Sequence, residues 1–192
     1  MSTVNYVLDI VTRFRKILDA HDKHLECFCH YGVQVEGWLK GELLNFFDTE
    51  KTDGRLIEID REVLCGVGQK KVDYFLVVPS GILAPTIWIE LKHWHIGYQR
   101  NELWLAHNYF GDKAVGIYSD VEKLSNIIDG DKYVLILATK NPGHEDWSRG
   151  VDKFNEKFKP LQVRSYTETS EFPESYYIGV LEVVTHVKRQ TS

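Results

Sequence analysis

Two apolar runs, residues 72–78 and 86–91, are separated by only seven residues, Pro79-Ser-Gly-Ile-Leu-Ala-Pro85. A connection that short returns the chain antiparallel, because a parallel crossover needs a dozen residues or more. The two runs therefore form a hairpin, and the loop sets which residues oppose each other. If the register is symmetric about Gly81 and Ile82, opposed residues carry numbers that sum to 163. Asp73 then faces Glu90, and Lys71 faces Lys92. Opposed side chains sit about 4.5–5.5 Å apart between Cβ atoms. Two carboxylates so placed repel one another unless positive charge lies between them. A hard divalent cation with oxygen ligands is the natural occupant. Alternation along the second strand puts Glu90 and Lys92 on one face, and Ile89 and Leu91 on the other.

The rest of the chain supplies the frame. Val4, Val7, Leu8, Val11, Phe14 and Leu18 recur at helical spacing and predict a helix over 3–20. A second helix is expected over 34–47, with Val35, Trp38, Leu39, Leu43 and Phe46 as its apolar stripe. Residues 48–54 read as a turn, 55–64 as a strand and Gly66-Val-Gly68 as another turn. A helix over 119–128, a buried strand over 133–138, a helix over 145–159 ending at Pro160 and a late, edge strand over 176–187 complete the reading. The order α-α-β-β-β-α-β-α-β predicts an α/β fold, a mixed central sheet flanked by helices. One domain is expected over 1–192, with 1–32 a helical segment packed on the core and 188–192 a frayed tail.

Composition narrows the function. Lys and Arg total 23 against 28 Asp and Glu, a net charge of -5, and 43% of residues are hydrophobic. That excludes disorder and a general basic coat, so any grip on a polyanion must be local. Lys70, Lys71, Lys92, His93, His95 and Arg100 form such a local group around Trp94 and Tyr98. It reads either as a phosphate grip with base stacking or as a solvated strand end with a structural tryptophan. No segment approaches the roughly 20 apolar residues of a membrane span. Three cysteines without a secretion signal predict reduced thiols in a cytoplasm. His21, His24, Cys27, Cys29 and His30 are zinc-ligand types, but their spacing matches no paired-ligand pattern. They are read as a helix end and loop holding buried thiols and solvated imidazoles. Neither a P-loop nor a dinucleotide glycine fingerprint occurs.

Glu42 supplies a third carboxylate. On a helical wheel it falls between Trp38 and Phe46, so it is expected to face the sheet, where a carboxylate needs a metal or a core-facing arginine. Glu42, Asp73 at the head of one strand, and Glu90-Leu-Lys92 at the end of the next together resemble the PD-(D/E)XK nuclease superfamily. The resemblance covers residues 33–138, and the restriction-endonuclease-like αβββαβ core of that superfamily matches the order above. Val72 stands where the motif has proline, and Gln99 is not followed by the tyrosine of some exonuclease branches. Asp120-Val-Glu-Lys-Leu124 is similar to a helix downstream of the motif in some of these nucleases. It is also explained by local i,i+3 pairing of Asp120 with Lys123.

The resemblance implies a Mg²⁺-dependent nuclease, with Mn²⁺ as substitute. Glu42, Asp73, Glu90 and the Leu91 carbonyl would hold the metal, and Lys92 would orient or deprotonate the attacking water. A lysine beside the ion would have its own pKa depressed, which suits a base. DNA is expected ahead of RNA, with no membrane partner. Cutting both strands calls for a homodimer or a partner protein that supplies specificity. The alternative is the same fold without catalysis, as a nucleic-acid-binding or protein-interaction module.

Overall fold

The computed structural model describes residues 2–65, 70–79, 84–99, 102–113, 116–166 and 176–184. The turn expected at Gly66-Val-Gly68, Arg100, the loop centre at Gly81 and Ile82, and the 188–192 tail lie outside them.

Three helices open the chain: α1 (Thr3–Ala20), α2 (Asp22–Tyr31) and α3 (Glu36–Thr52). Three antiparallel strands follow: β1 (Glu58–Leu64), β2 (Lys71–Val77) and β3 (Thr86–His95). A small ribbon, β4 (Gly97–Gln99) with β5 (Glu102–Trp104), and the short helix α4 (Ala106–Tyr109) lead to α5 (Tyr118–Ser125). Then come β6 (Asp131–Thr139), α6 (His144–Lys157), β7 (Gln162–Ser165) and β8 (Tyr176–Val184). The main sheet has six strands in the order β1-β2-β3-β6-β8-β7. Within it β3 and β6 are parallel, and the other neighbours are antiparallel.

Alternation in β6 shows how the layers are built. Tyr133, Leu135 and Leu137 face the side packed by α1, α2 and α3, against Ile10, Phe14, Leu39 and Leu43. Val134, Ile136 and Ala138 face the other side, against Val121 and Leu124 of α5 and Trp147 and Phe154 of α6. A strand buried on both faces reads as a continuous apolar run, and this one does. On the second side Trp147 occupies the space above Gly179. A Cβ at Gly179 would lie 2.1 Å from the Trp147 ring, so glycine is required there.

Several boundaries differ from the sequence reading. The α3 helix continues through the expected turn to Thr52, because Phe47 and Glu50 extend its buried face by another turn. The zinc-type cluster lies at the α1–α2 corner, and α2 is helical rather than a loop. Cys27 is exposed there, not buried. The late strand β8 is interior, and the short β7 covers it as the edge. No helix among the described residues is long and apolar enough to cross a membrane.

Candidate active site

The β2–β3 ladder has the expected register. Tyr74 opposes Ile89, Phe75 opposes Trp88, Leu76 opposes Ile87 and Val77 opposes Thr86. Each pair sums to 163. Beyond Tyr74 and Ile89 the strands part, and side chains replace the ladder. The Asp73 N–H donates to Glu90 Oε2 at 3.4 Å, and the Leu91 N–H donates to Asp73 Oδ2 at 2.9 Å. On the other edge of β2 the ladder also skips a step. Arg61 opposes Tyr74 and Val63 opposes Val72, while Glu62 between them has φ 51°. A left-handed conformation at a non-glycine residue is strained and is found where surrounding structure imposes it. Asp73 thus sits at a fork, with its backbone released from both neighbouring strands.

Two helices close on this fork from opposite faces of the sheet. From α3, Lys40 Nζ lies 2.8 Å from Asp73 Oδ1 and 3.1 Å from Glu36 Oε1. From α5, Lys123 Nζ lies 2.6 Å from Glu90 Oε1 and donates to the Lys71 carbonyl at 2.8 Å. Asp120, also on α5, faces Lys92 at 3.2 Å and Lys123 at 3.7 Å. The site therefore joins Glu36, Asp73, Glu90 and Asp120 to Lys40, Lys92 and Lys123. The Asp120 oxygen that faces Lys92, Oδ2, is buried.

The electrostatics follow from burial. Glu90 is 5% exposed, and burial pushes its carboxyl up to about 7. The Asp73 charge adds to that rise, and Lys123 opposes it. Burial likewise raises Asp120, against the pull of Lys92 and Lys123. Burial pulls the Lys92 ammonium down, but Asp120, Glu36 and Glu90 outweigh it and hold the pKa above its usual value. In the metal-free chain these carboxylates thus hold Lys92 cationic. Lys40 behaves alike: Asp73 and Glu36 overcome the effect of burial.

Glu42 is not part of this group. The residues of α3 beside Asp73 are Gly37, Lys40, Gly41 and Leu44. At 3.6 residues per turn Glu42 points about 150° away from their mean direction. It is half-buried, on the flank of the core. The acid that α3 brings to the site is Glu36, one turn before Lys40. Among the described residues no three His, Cys, Asp or Glu side chains form a ready metal cage. That holds for Glu42 with Asp73 and Glu90, and equally for His21, His24, Cys27 and His30 at the α1–α2 corner. There His21 and His24 stack with their Nδ1 atoms 3.3 Å apart.

The expected phosphate grip is also redistributed. Trp94 is fully buried and stacks on Tyr109 at 4.9 Å, so it offers no face to a base. His93 is buried between Gln34 and Thr139, and burial, with His95 beside it, pushes its pKa down to about 4. It is therefore neutral at pH 7 and carries no charge toward a phosphate. Burial lowers His95 as well. Lys71 does not meet Lys92; it pairs with Glu62 at 3.3 Å, and Lys70 pairs with Glu122 at 3.6 Å.

Sequence reasoning missed Lys40, Glu36 and Lys123, and it explained Asp120 with Lys123 as a local pair. That pair exists, but both side chains also reach the strand face, which one helix's spacing does not reveal. Comparison of the chain with family models, with curated proteins and with solved structures gives no match.

Proposed function

We propose that this chain is a divalent-metal-dependent phosphodiester hydrolase acting on nucleic acid, DNA before RNA. The observation that carries the reading is the fork itself. Asp73 and Glu90 are linked through the Asp73 and Leu91 amides, with Lys92 two residues on along the same strand. The order α3-β1-β2-β3-α5-β6, with the β4–β5 ribbon and α4 inserted after β3 and with β3 parallel to β6, supports the restriction-endonuclease-like resemblance.

The donor set suits Mg²⁺ or Mn²⁺. Asp73 and Glu90 offer hard carboxylate oxygens, and the Leu91 carbonyl lies between Glu90 and Lys92 in the chain. Burial raises the Glu90 pKa and the Asp73 charge adds to the rise, even with Lys123 at 2.6 Å, so a further cation there would favour the ionised carboxyl. A divalent ion there would lower the pKa of bound water and offset charge on the phosphate oxygens. Lys92, fixed in direction by Asp120, neutralises charge building on the phosphate and orients or deprotonates the attacking water. Glu36 takes the part the resemblance gave to Glu42. Lys40 and Lys123 are the ammoniums that balance Asp73 and Glu90 in the metal-free chain.

A second reading, a catalytically inactive module of the same fold, rests on those same ammoniums, since every carboxylate of the site already faces a lysine. One experiment separates the two. The purified chain is incubated with single- and double-stranded DNA and RNA in Mg²⁺, in Mn²⁺ and in EDTA. Metal-dependent cleavage that falls roughly 100-fold or more with Lys92→Ala is expected. Absence of cleavage under every metal condition, or full cleavage by Lys92→Ala, overturns the hydrolase reading.

A further inference from the structure

Beside Asp73 a groove of about 240 Å³ runs between α3 and the β1–β2 pair, and Gly37, Lys40, Gly41, Arg61, Glu62 and Asp73 line it. We propose that this groove holds the sugar–phosphate backbone of the strand being cut, next to the scissile phosphate. Gly37 and Gly41 then let that strand lie against the α3 backbone. The identity of the ligand rests on the hydrolase reading above; the groove itself does not.

The groove has a wall that folding alone does not explain. Gly37 and Gly41 stand one helical turn apart and face the same side of α3. Neither is in the left-handed region, and a Cβ built on either meets no heavy atom within 4 Å. Alanine would fit at both, and at Gly41, inside the helix, glycine costs about 0.8–1.0 kcal/mol relative to alanine. Gly179 and Gly130, by contrast, are packed so closely that a side chain would collide. What a side chain at 37 or 41 would change is the depth of the groove at Asp73.

The charges on the walls suit a phosphate backbone that arrives with a cation. Lys40 and Arg61 line the groove and are 36% and 60% exposed, so both can turn toward an incoming phosphate. Glu62 and Asp73 line it too and cancel them. With the whole chain at -5, a polyanion gains little here until positive charge is added at Asp73 and Glu90. Among the described residues the one ring on the lining is Tyr74, which is buried and donates its hydroxyl to the Lys40 carbonyl. With no free ring to stack a base, the groove contacts backbone and is indifferent to sequence.

The test uses the full chain and a fluorescein-labelled 15-nucleotide DNA of mixed sequence, as a single strand and as a duplex. Anisotropy gives Kd in Ca²⁺ and in EDTA, and calorimetry with Ca²⁺ alone reads the metal site. Gly41→Ala is expected to leave Tm unchanged or raise it by about 2–4 °C. Gly41→Leu, checked for fold by circular dichroism, is expected to weaken strand binding at least tenfold with Ca²⁺ uptake unchanged. Arg61→Ala, at an exposed side chain, is expected to weaken binding and reduce the salt slope by about one. A preference for either form of DNA is consistent with the groove. Binding within twofold of wild type in both Gly41→Leu and Arg61→Ala overturns the groove and leaves the hydrolase reading standing. Strand binding that these variants weaken, without any Ca²⁺ uptake, keeps the groove and removes the hydrolase reading. A wild-type chain that binds neither form of DNA overturns the groove.

Discussion

Replacing Lys123 by methionine in the metal-free chain isolates the most buried contact of the site. Lys123→Met keeps the apolar stem and removes the ammonium that lies 2.6 Å from Glu90 and 2.8 Å from the Lys71 carbonyl. Glu90 titrates near 7 in the folded chain, raised first by burial and then by Asp73, and held down by Lys123. Well below that pH it carries its proton in both proteins. The substitution then costs only lost hydrogen bonding, about 1–1.5 kcal/mol. Well above it the variant's carboxylate stands buried without its cation. It escapes that penalty by keeping a proton, and at pH 9 this caps the additional cost at about 2.7 kcal/mol, two pKa units at 1.36 each. Because the folded chain holds a proton that the unfolded chain has released, the variant loses stability relative to wild type as pH rises. Urea unfolding followed by tryptophan fluorescence, in EDTA, is expected to show a gap of about 1 kcal/mol at pH 5.5 that widens toward 4 kcal/mol at pH 9. Asp120, 3.7 Å from the same ammonium, acts in the same sense. A gap that stays constant across that range refutes the argument, since it would mean that Lys123 does not hold the Glu90 charge.

Two further outcomes bear on how the helices contribute. Glu36→Gln is expected to weaken Mg²⁺ or Mn²⁺ affinity severalfold in calorimetry, while Glu42→Gln leaves it within twofold; the reverse result restores the sequence-based choice of acid. Glu50→Gln is expected to destabilise the fold by about 1.5–3 kcal/mol in urea unfolding, because Glu50 is 1% exposed and its charge-assisted contacts to the partly exposed Arg13 at 2.8 Å and Arg55 at 2.7 Å are lost. A loss below about 1 kcal/mol would show that the clamp is exposed to solvent in solution.

The parts of the site legible in the sequence are those fixed by short-range geometry. A seven-residue loop leaves little freedom of register, so the pairing of residues 74–77 with 86–89 followed from the sequence, and with it the approach of Asp73 to Glu90. The acid on α3 was misread for a definite reason. Trp38 and Phe46 bracket Glu42 on the wheel, but Trp38 is only partly buried. The buried stripe runs through Leu39, Leu43, Phe46, Phe47 and Glu50, leaving Glu42 on its flank. Glu50 carried a usable signal, being an acid three and four residues after Phe47 and Phe46. Lys123 carried none, since its i,i+3 partner Asp120 already accounts for it locally. The short β7 escaped notice because, of its four residues, only Val163 is buried.

Among the described residues, the charge clusters at Glu50 and at the fork of β2 and β3 differ in the kind of cation they use. At Glu50 both cations are arginines: Arg55 gives Nε and Nη2 to the same oxygen at 3.0 and 2.7 Å, and Arg13 takes the other at 2.8 Å. A guanidinium keeps its charge and presents its donors in a fixed plane, which is what a permanent clamp between α1, α3 and the connection leading into β1 requires. At the fork of β2 and β3 all three cations are lysines, on Glu90, Asp73 and Asp120. An ammonium is a compact point charge on a flexible stem and yields its partner more readily than a bidentate guanidinium. Buried ion pairs contribute little net stability, so a fold gains nothing by assembling seven charged side chains at a gap between strands. Exchangeable counterions on closely spaced carboxylates suit a site that gives up its lysines to another cation and then uses them on an anionic substrate. On the hydrolase reading Lys40 and Lys92, at 36% and 21% exposure, would turn to the substrate, while Lys123 at 11% would stay with the protein.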